Sequence, residues 1–253
     1  GAEWREMIER SGADMVVAGD TGTKMCEMKL AKPRFDIDLA TNNLEGMLDF
    51  WQKDVGVPLD HVLKVRRGQN QHRHELMGSV LKINHFEEAV PDTPPAGYQE
   101  LLVASDKAPQ QLTDPDGNAV RLVAAGSDGV SQIAVRMGVR DLEAHKRFYS
   151  EAFGFPERPY DKGLAFQAGE GLILLEQDDH APSDAEFRGK GWRYITFQVF
   201  KVDDEHKRVL AAGGGEALAP VTLGTTARIS MVRDPDGNWI ELSQRASIVG
   251  SLD

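Results

Sequence analysis

Asp234-Pro235-Asp236-Gly237-Asn238-Trp239-Ile240-Glu241-Leu242 is the stretch from which the fold can be read. Its first five residues are turn chemistry: Pro presets φ, Gly takes a positive φ, and Asp and Asn side chains satisfy nearby backbone donors. The residues that follow alternate, with Ile240 and Leu242 on one face and Trp239, Glu241 and Ser243 on the other, as in a half-buried strand. The same turn stands earlier, as Asp114-Pro115-Asp116-Gly117-Asn118 ahead of Ala119-Val120-Arg121-Leu122-Val123. The chain is therefore a tandem duplication.

Spacing extends the repeat outward from these turns. Leu44 answers to Leu142 (142 − 44 = 98), whereas Asp114 answers to Asp234 (234 − 114 = 120). The difference, 120 − 98 = 22 residues, is about one helix and a loop, missing between Val103 and Asp114. Within the second copy an offset of 62 pairs Ile133-Ala134-Val135 with Ile195-Thr196-Phe197 and Asp141 with Asp203; an offset of 65 pairs Glu176 with Glu241. Each copy is thus two strand-helix-strands modules, the first copy being shortened.

The periodicity predicts strands at 35–39, near 61–67 and 76–86, at 98–104 and at 119–123, with Arg67-Gly68-Gln69-Asn70 turning between the second and third. Asn42 or Asn43 caps a helix through Leu44, Met47, Leu48, Phe50 and Trp51. Residues 124–129 read as a linker. The second copy is predicted to hold strands at 132–137, 163–168, 171–177, 192–200, 226–233 and 239–243. One helix runs from Leu142 to Phe153 and another is capped at Asp203 and stopped by Gly213-Gly214-Gly215. The polar segment 178–190 reads as a mobile loop. Residues 1–30 form an N-terminal extension with a short helix at 3–10, followed by domains at 31–125 and 130–246.

Net charge −11 and pI near 5.1 argue against nucleic acid or an anionic membrane as partner. No apolar run is long enough to span a bilayer, and the single cysteine, Cys26, fits a reducing cytoplasm. Cys26 has no evident base partner.

Strand parity assigns a cleft face. If Ile133, Val135 and Met137 pack on the helix, then Gln132, Ala134 and Arg136 face the cleft. The same logic places Trp192, Tyr194, Thr196 and Gln198 there, together with Leu174, Glu176, Trp239 and Glu241. Two carboxylates, two indoles, a phenol and an arginine suit a flat or amphipathic organic ligand. Arg136, Trp192, Gln198 and Trp239 are the candidate substrate-binding residues. In the first copy, Arg34 and Arg121 match the positions of Gln132 and Glu241, and Asp36, Asp38 and Glu100 share their face, so that cleft reads as ion-paired and structurally filled. Gln71-His72-Arg73-His74-Glu75 reads as a solvated hairpin, and His145, His180 and His206 as exposed.

Gln132-Ile133-Ala134-Val135-Arg136, Asp141-Leu142-Glu143, Arg147-Phe148-Tyr149, Gly154-Phe155 and Asp234–Leu242 together resemble the vicinal-oxygen-chelate superfamily, which includes glyoxalase I, bleomycin-resistance proteins and type I extradiol dioxygenases. The resemblance covers 131–245 well and 34–123 loosely. It implies an α+β fold of paired βαβββ modules, each curling a sheet around a cleft. Family metal ligands lie on each module's first strand and near the end of its last strand. Carried over, they fall on Gln132, Glu176, Tyr194 and Glu241, with Tyr194 standing where a histidine is usual. Of the His, His, Glu set of the extradiol enzymes only Glu241 survives.

The resemblance implies a cytoplasmic enzyme for a small carbonyl-bearing or aromatic metabolite, with lyase or isomerase chemistry carried by Glu241, Tyr194 and Glu176. Gln132, Glu176 and Glu241 would hold a divalent ion, with Fe, Mn, Zn, Ni and Mg all open, or the carboxylates would act without metal. The alternatives are a metal-free binding protein of the bleomycin-resistance kind and, below it, an extradiol-type dioxygenase using the N-terminal histidines. A homodimer is compatible with such sheets.

Overall fold

The computed structural model describes residues 27–252, so the expected helix at 3–10 and Cys26 lie outside the described residues. Four modules follow in order. The first is β1 (Leu30–Thr41), α1 (Leu44–Asp49, continued by a π-helical segment Phe50–Val55), β2 (Leu59–Arg66), β3 (Gln69–Leu76) and β4 (Ser79–Phe86). The second is β5 (Tyr98–Ala104), β6 (Gln110–Thr113) and β7 (Ala119–Val123), without a helix. The third is β8 (Ile133–Val139), α2 (Leu142–Arg147, continued by Phe148–Ala152), β9 (Glu157–Arg158), β10 (Leu164–Ala168) and β11 (Gly171–Gln177). The fourth is β12 (Gly191–Val199), α3 (Val202–Ala211), β13 (Gly215–Leu223), β14 (Ala227–Arg233) and β15 (Trp239–Arg245), followed by a short α4 (Ala246–Val249). The α+β class, the repeated modules and the shortened first copy agree with the sequence. No helix among the described residues is long and apolar enough to cross a membrane.

The duplicated turns are superimposable in chemistry. Asp234 Oδ1 accepts from the backbone of Asp236 (3.0 Å) and Asn238 (2.8 Å), and Asp114 Oδ1 accepts from Asp116 and Asn118 at the same distances. Gly237 and Gly117 take φ of 80° and 90°, which a side chain would strain. The Asp234 turn is also tied to α2: buried His145 places Nε2 3.4 Å from Asp234 Oδ2 and 3.8 Å from Asp236 Oδ2. His206 is buried against Glu216 at 2.8 Å. The expectation of exposed positions for both histidines is thus corrected, because α2 turns His145 toward the β14–β15 turn of the other sheet and α3 turns His206 toward Glu216 of β13.

Four element expectations also change. A hairpin at Met77-Gly78 divides the predicted 76–86 strand from β3; both residues take positive φ, 54° and 84°, and methionine gives no sequence sign of that. Gly213 ends α3 at φ 89°, but Gly215 opens β13, which the glycine run concealed. The N-cap of α3 is Lys201, and Asp203 accepts from Arg228 Nη2 at 2.7 Å instead of capping. The 178–190 segment is held rather than loose: Ala181 and Ala185 are buried, Asp184 N donates to Asp236 O (2.8 Å), and Trp239 Nε1 donates to Ala185 O (2.7 Å).

The strands form two mixed sheets. Sheet I runs β13-β14-β15-β12-β1-β4-β3-β2, and sheet II runs β6-β7-β5-β8-β11-β10-β9. Each sheet joins one module from each half through an antiparallel pair of first strands: β1 with β12, where Ile37 faces Ile195, and β5 with β8, where Leu101 faces Val135. The boundary expected between 31–125 and 130–246 therefore separates sequence repeats, not sheets. All four first strands carry the same alternation and need a partner edge, so local pattern selects no pairing. One apolar core, including Phe35, Ile37, Ile195 and Phe197 of sheet I and Leu101, Ile133 and Val135 of sheet II, joins both sheets to α1 and α2.

Candidate functional site

The alternation that buries Ile37 and Leu39 turns Asp36 and Asp38 to the opposite, concave face of sheet I. Lys82 of β4 stands beside Asp38 in one parallel ladder, and Glu241 of β15 stands beside Thr196 of β12 in the other. The two ladders are related by a pseudo-twofold axis through the Ile37–Ile195 pair. Lys82 thus takes in the first module the place that Glu241 takes in the fourth. Its ammonium donates to Glu241 Oε2 (2.7 Å) and Thr196 Oγ1 (2.6 Å) and lies 5.0 Å from the Tyr194 ring centroid. Thr196 Oγ1 also donates to Glu241 Oε2, at 2.6 Å.

These neighbours push the two acids apart. Burial, reinforced by the Glu241 charge and opposed by Lys82, Tyr194 and Asn84, raises Asp38 to about 8. Burial would raise Glu241 too, but the Lys82 charge and the hydrogen bonds from Lys82 and Thr196 outweigh it and hold its carboxyl below the usual range. The Tyr194 phenol is raised by burial and by Asp38 and Glu241, so it stays protonated as a donor to Asp38.

A cavity of about 230 Å³ opens on this trio. Leu63, Phe86, Phe187 and Ile229 supply apolar wall. Six cationic residues (Arg66, Arg73, Lys82, Arg188, Arg193, Arg245) line it against three acids (Asp38, Glu88, Glu241), although the whole chain carries −11. The cleft is therefore locally cationic.

Of the expected site residues, Tyr194 and Glu241 reach this cavity. Trp192 does not: the β1–β12 register shifts between Asp38 and Leu39, and this bulge turns Trp192 into the core against Trp51, ring centroids 6.0 Å apart. Arg193 beside it reaches the cavity, donating to the carbonyls of Pro94, Glu186 and Lys190 at 3.2, 3.2 and 2.7 Å. Gln198 is buried on Asp36 (3.3 Å). Trp239 braces the 178–190 segment, its ring 5.0 Å from Phe187 and under the Arg233 guanidinium at 4.6 Å.

Gln132, Arg136 and Glu176 belong to sheet II. Gln132 accepts from Arg34 Nε (2.8 Å) and donates to Glu170 Oε2 (2.6 Å). Arg136 reaches Glu100 (3.1 Å), Gln99 (2.7 Å) and Glu176 (3.4 Å), Arg121 also pairs with Glu100, and Tyr160 donates to Glu176. Beside them Leu102, Ala134, Leu172 and Leu174 pack into an apolar cluster. This cleft is filled, as the sequence predicted for Glu100 and Arg121 but not for Arg136 and Glu176. The first-copy side chains the sequence assigned to structure, Asp38 above all, instead line the open cleft, joined by Arg73, Lys82 and Asn84. Arg73 belongs to the stretch read as a solvated hairpin, which is in fact buried from Gln71 to His74.

Residues 129–242 match the model of the Glyoxalase/Bleomycin resistance protein/Dioxygenase superfamily. That match lies in the second copy of the repeat. Its fold is similar to glyoxalase I from Zea mays, with TM-score 0.70 at 15% identity over 88% of this chain and 95% of that one. It is also similar to a putative dioxygenase from Bacillus subtilis, with TM-score 0.62 at 11% identity over 87% and 86%. No curated protein matches the chain significantly.

In this chain the residues present do not fit a divalent ion at the carried-over positions. Gln132 and Glu176 lie in one sheet and Glu241 in the other, each engaged by its own partners. In sheet I the place facing Glu241 is taken by the Lys82 ammonium, a donor that cannot ligate while charged. Among the described residues no three His, Cys, Asp or Glu side chains are grouped to hold a metal. The expected Gln132, Glu176, Glu241 ligand set is corrected accordingly.

Proposed function

We propose that this chain is a metal-independent proton-transfer enzyme of the lyase or isomerase kind, acting on a small carbonyl-bearing metabolite in the sheet I cleft. The observation that carries the reading is the Asp38–Lys82–Glu241 trio: two carboxyls of opposite pKa displacement around one buried ammonium, all on one cavity. Environments that drive two acids apart assign the acid and the base. Asp38, protonated near neutral pH, is the proton donor to a carbonyl oxygen. Ionised Glu241 is the base: Oε2 is held by Lys82 and Thr196, and Oε1 accepts no hydrogen bond among the described residues. As the C–H bond α to the carbonyl breaks, its proton passes to Glu241 and its electron pair forms the enol carbon–carbon bond. The carbonyl oxygen takes the Asp38 proton. Lys82 offsets the charge that develops between the two acids, the task a Lewis acid performs in a metal site.

The test is proton exchange in D2O at the carbon next to the carbonyl, followed by NMR, with phenylpyruvate and with neutral acetophenone as probes. Exchange above the buffer rate that survives EDTA and is lost in Asp38→Asn and Lys82→Gln supports the reading. No acceleration for either probe, or acceleration only after adding a metal, overturns it. Binding without exchange would instead favour a ligand-holding protein, a reading supported by the capping of Asp38 by Asn84 and Tyr194.

A further inference from the structure

Arg73 and Arg245 approach the same cavity from opposite ends of the trio, Arg73 on β3 beside Lys82 and Arg245 two residues past Ser243 on β15. Arg73 is 6% exposed, and among the described residues its one hydrogen bond runs from Nη1 to the neutral Gln71 Oε1 at 2.6 Å. Arg245 Nε is buried and finds no acceptor among the described residues. Among the described residues neither guanidinium has a carboxylate within ion-pair distance, unlike Lys82 on Glu241 or Arg121 on Glu100. The two also feel each other: burial first and the Arg73 charge next hold the Arg245 guanidinium below its usual range, and the more distant Glu241 and Asp36 charges offset this only in part.

Burying a charge is costly unless it is paired, and a like charge nearby adds to the cost. Two guanidiniums at a cavity wall, neither in direct ion-pair contact with a carboxylate among the described residues, amount to an anion site. Guanidinium forks match a carboxylate in two-point geometry. The acids Glu241 and Glu88 on the same cavity disfavour a phosphate dianion relative to a single negative charge. The apolar wall takes the rest of the molecule.

We infer that Arg73 and Arg245 form a carboxylate anchor, so that the ligand of this cleft is a small organic monocarboxylate with an apolar body. The anchor names the substrate class of the proposed site and rests on that reading for its chemistry, but not for its binding.

The experiment is calorimetric titration of the full chain with benzoate, its neutral counterpart benzamide, phenylacetate and inorganic phosphate. Wild type is expected to bind benzoate or phenylacetate at least tenfold tighter than benzamide, and Arg73→Gln and Arg245→Gln each to lose that preference about tenfold. Removing a buried charge that makes no ion pair should leave the fold intact, so thermal unfolding serves as the second readout: the carboxylate raises the Tm of wild type and not of either variant. No binding of either carboxylate, equal binding of benzamide, or tighter binding of phosphate overturns the anchor. Carboxylate binding without proton exchange on phenylpyruvate would sink the enzymatic reading and leave the anchor standing. Equal exchange on phenylpyruvate and acetophenone would do the reverse.

Discussion

The two concave faces of this molecule are built from the same module and have opposite contents. In sheet II, Glu100 sits between Arg121 and Arg136, Glu176 is closed by Arg136 and Tyr160, and an apolar cluster packs alongside. In sheet I, Asp38 is buried with its pKa raised to about 8, Arg73 and Arg245 have no carboxylate within ion-pair distance among the described residues, and a cavity remains. A cleft that has satisfied its charges is a structural unit. A cleft that keeps them unsatisfied spends stability on something else, and ligand binding is the ordinary reason. Removing an acid from the two sheets should therefore change stability with opposite sign.

The largest effect is expected at Asp38. Its folded pKa of about 8 lies above the ordinary 3.8 of an aspartate in the unfolded chain, so between those values the folded chain binds a proton that the unfolded chain has released. Stability from this group is full below about pH 4 and is lost as pH rises toward about 8, a change on the order of a few kcal/mol. Asp38→Asn removes the titration. Thermal unfolding from pH 4 to 9 should show the variant's Tm gaining on wild type throughout the window, while proton exchange is abolished. A parallel pair of curves would mean that Asp38 is ionised in the folded state and that the acid–base assignment is wrong.

The matching change in sheet II has the other sign. The Glu100 carboxyl is held below its usual range: burial alone would raise it, but Arg121, Gln111 and Arg136 outweigh that. Glu100→Gln strands the Arg121 guanidinium and leaves Arg136 only Glu176 and Gln99, and should destabilise by roughly 3 kcal/mol, the low end for a broken buried pair because both arginines are partly exposed. Chemical denaturation at pH 7 measures it. Benzoate affinity should not move, and if it does the clefts are not independent.

How much of this was visible in the sequence follows from which interactions are local. The Asp-Pro-Asp-Gly-Asn turns, the Asn43 and Asp141 caps and the face alternation of β8 and β15 depend on neighbouring residues, and all were legible. The pairing of first module with fourth was not, because four similar strands offer no local reason to choose among edges. That one fact relocated the site: it moved Gln132, Arg136 and Glu176 away from Glu241 and brought Asp38 and Lys82 to it. Trp192 failed for a different reason, since a one-residue bulge reverses side-chain direction without a compositional mark.

The smallest effect tests how complete the filling of sheet II is. Tyr160 donates to Glu176, and burial and that hydrogen bond both raise its phenol above the usual range. Tyr160→Phe deletes the donor but keeps the ring beside Ala165, Leu172 and Leu174. Glu176 then still has Arg136 at 3.4 Å and is about a quarter exposed, so water can replace the hydroxyl. The expected loss is that of one hydrogen bond, about 1 kcal/mol. Equilibrium unfolding of the variant at pH 7 decides between two pictures of the sheet. A loss of that size, with benzoate binding and proton exchange unchanged, fits a cleft whose contacts are structural and separable. A variant that folds as well as wild type but loses exchange would place Tyr160 and Glu176 in a second reacting site, and the division of labour between the two sheets would have to be abandoned.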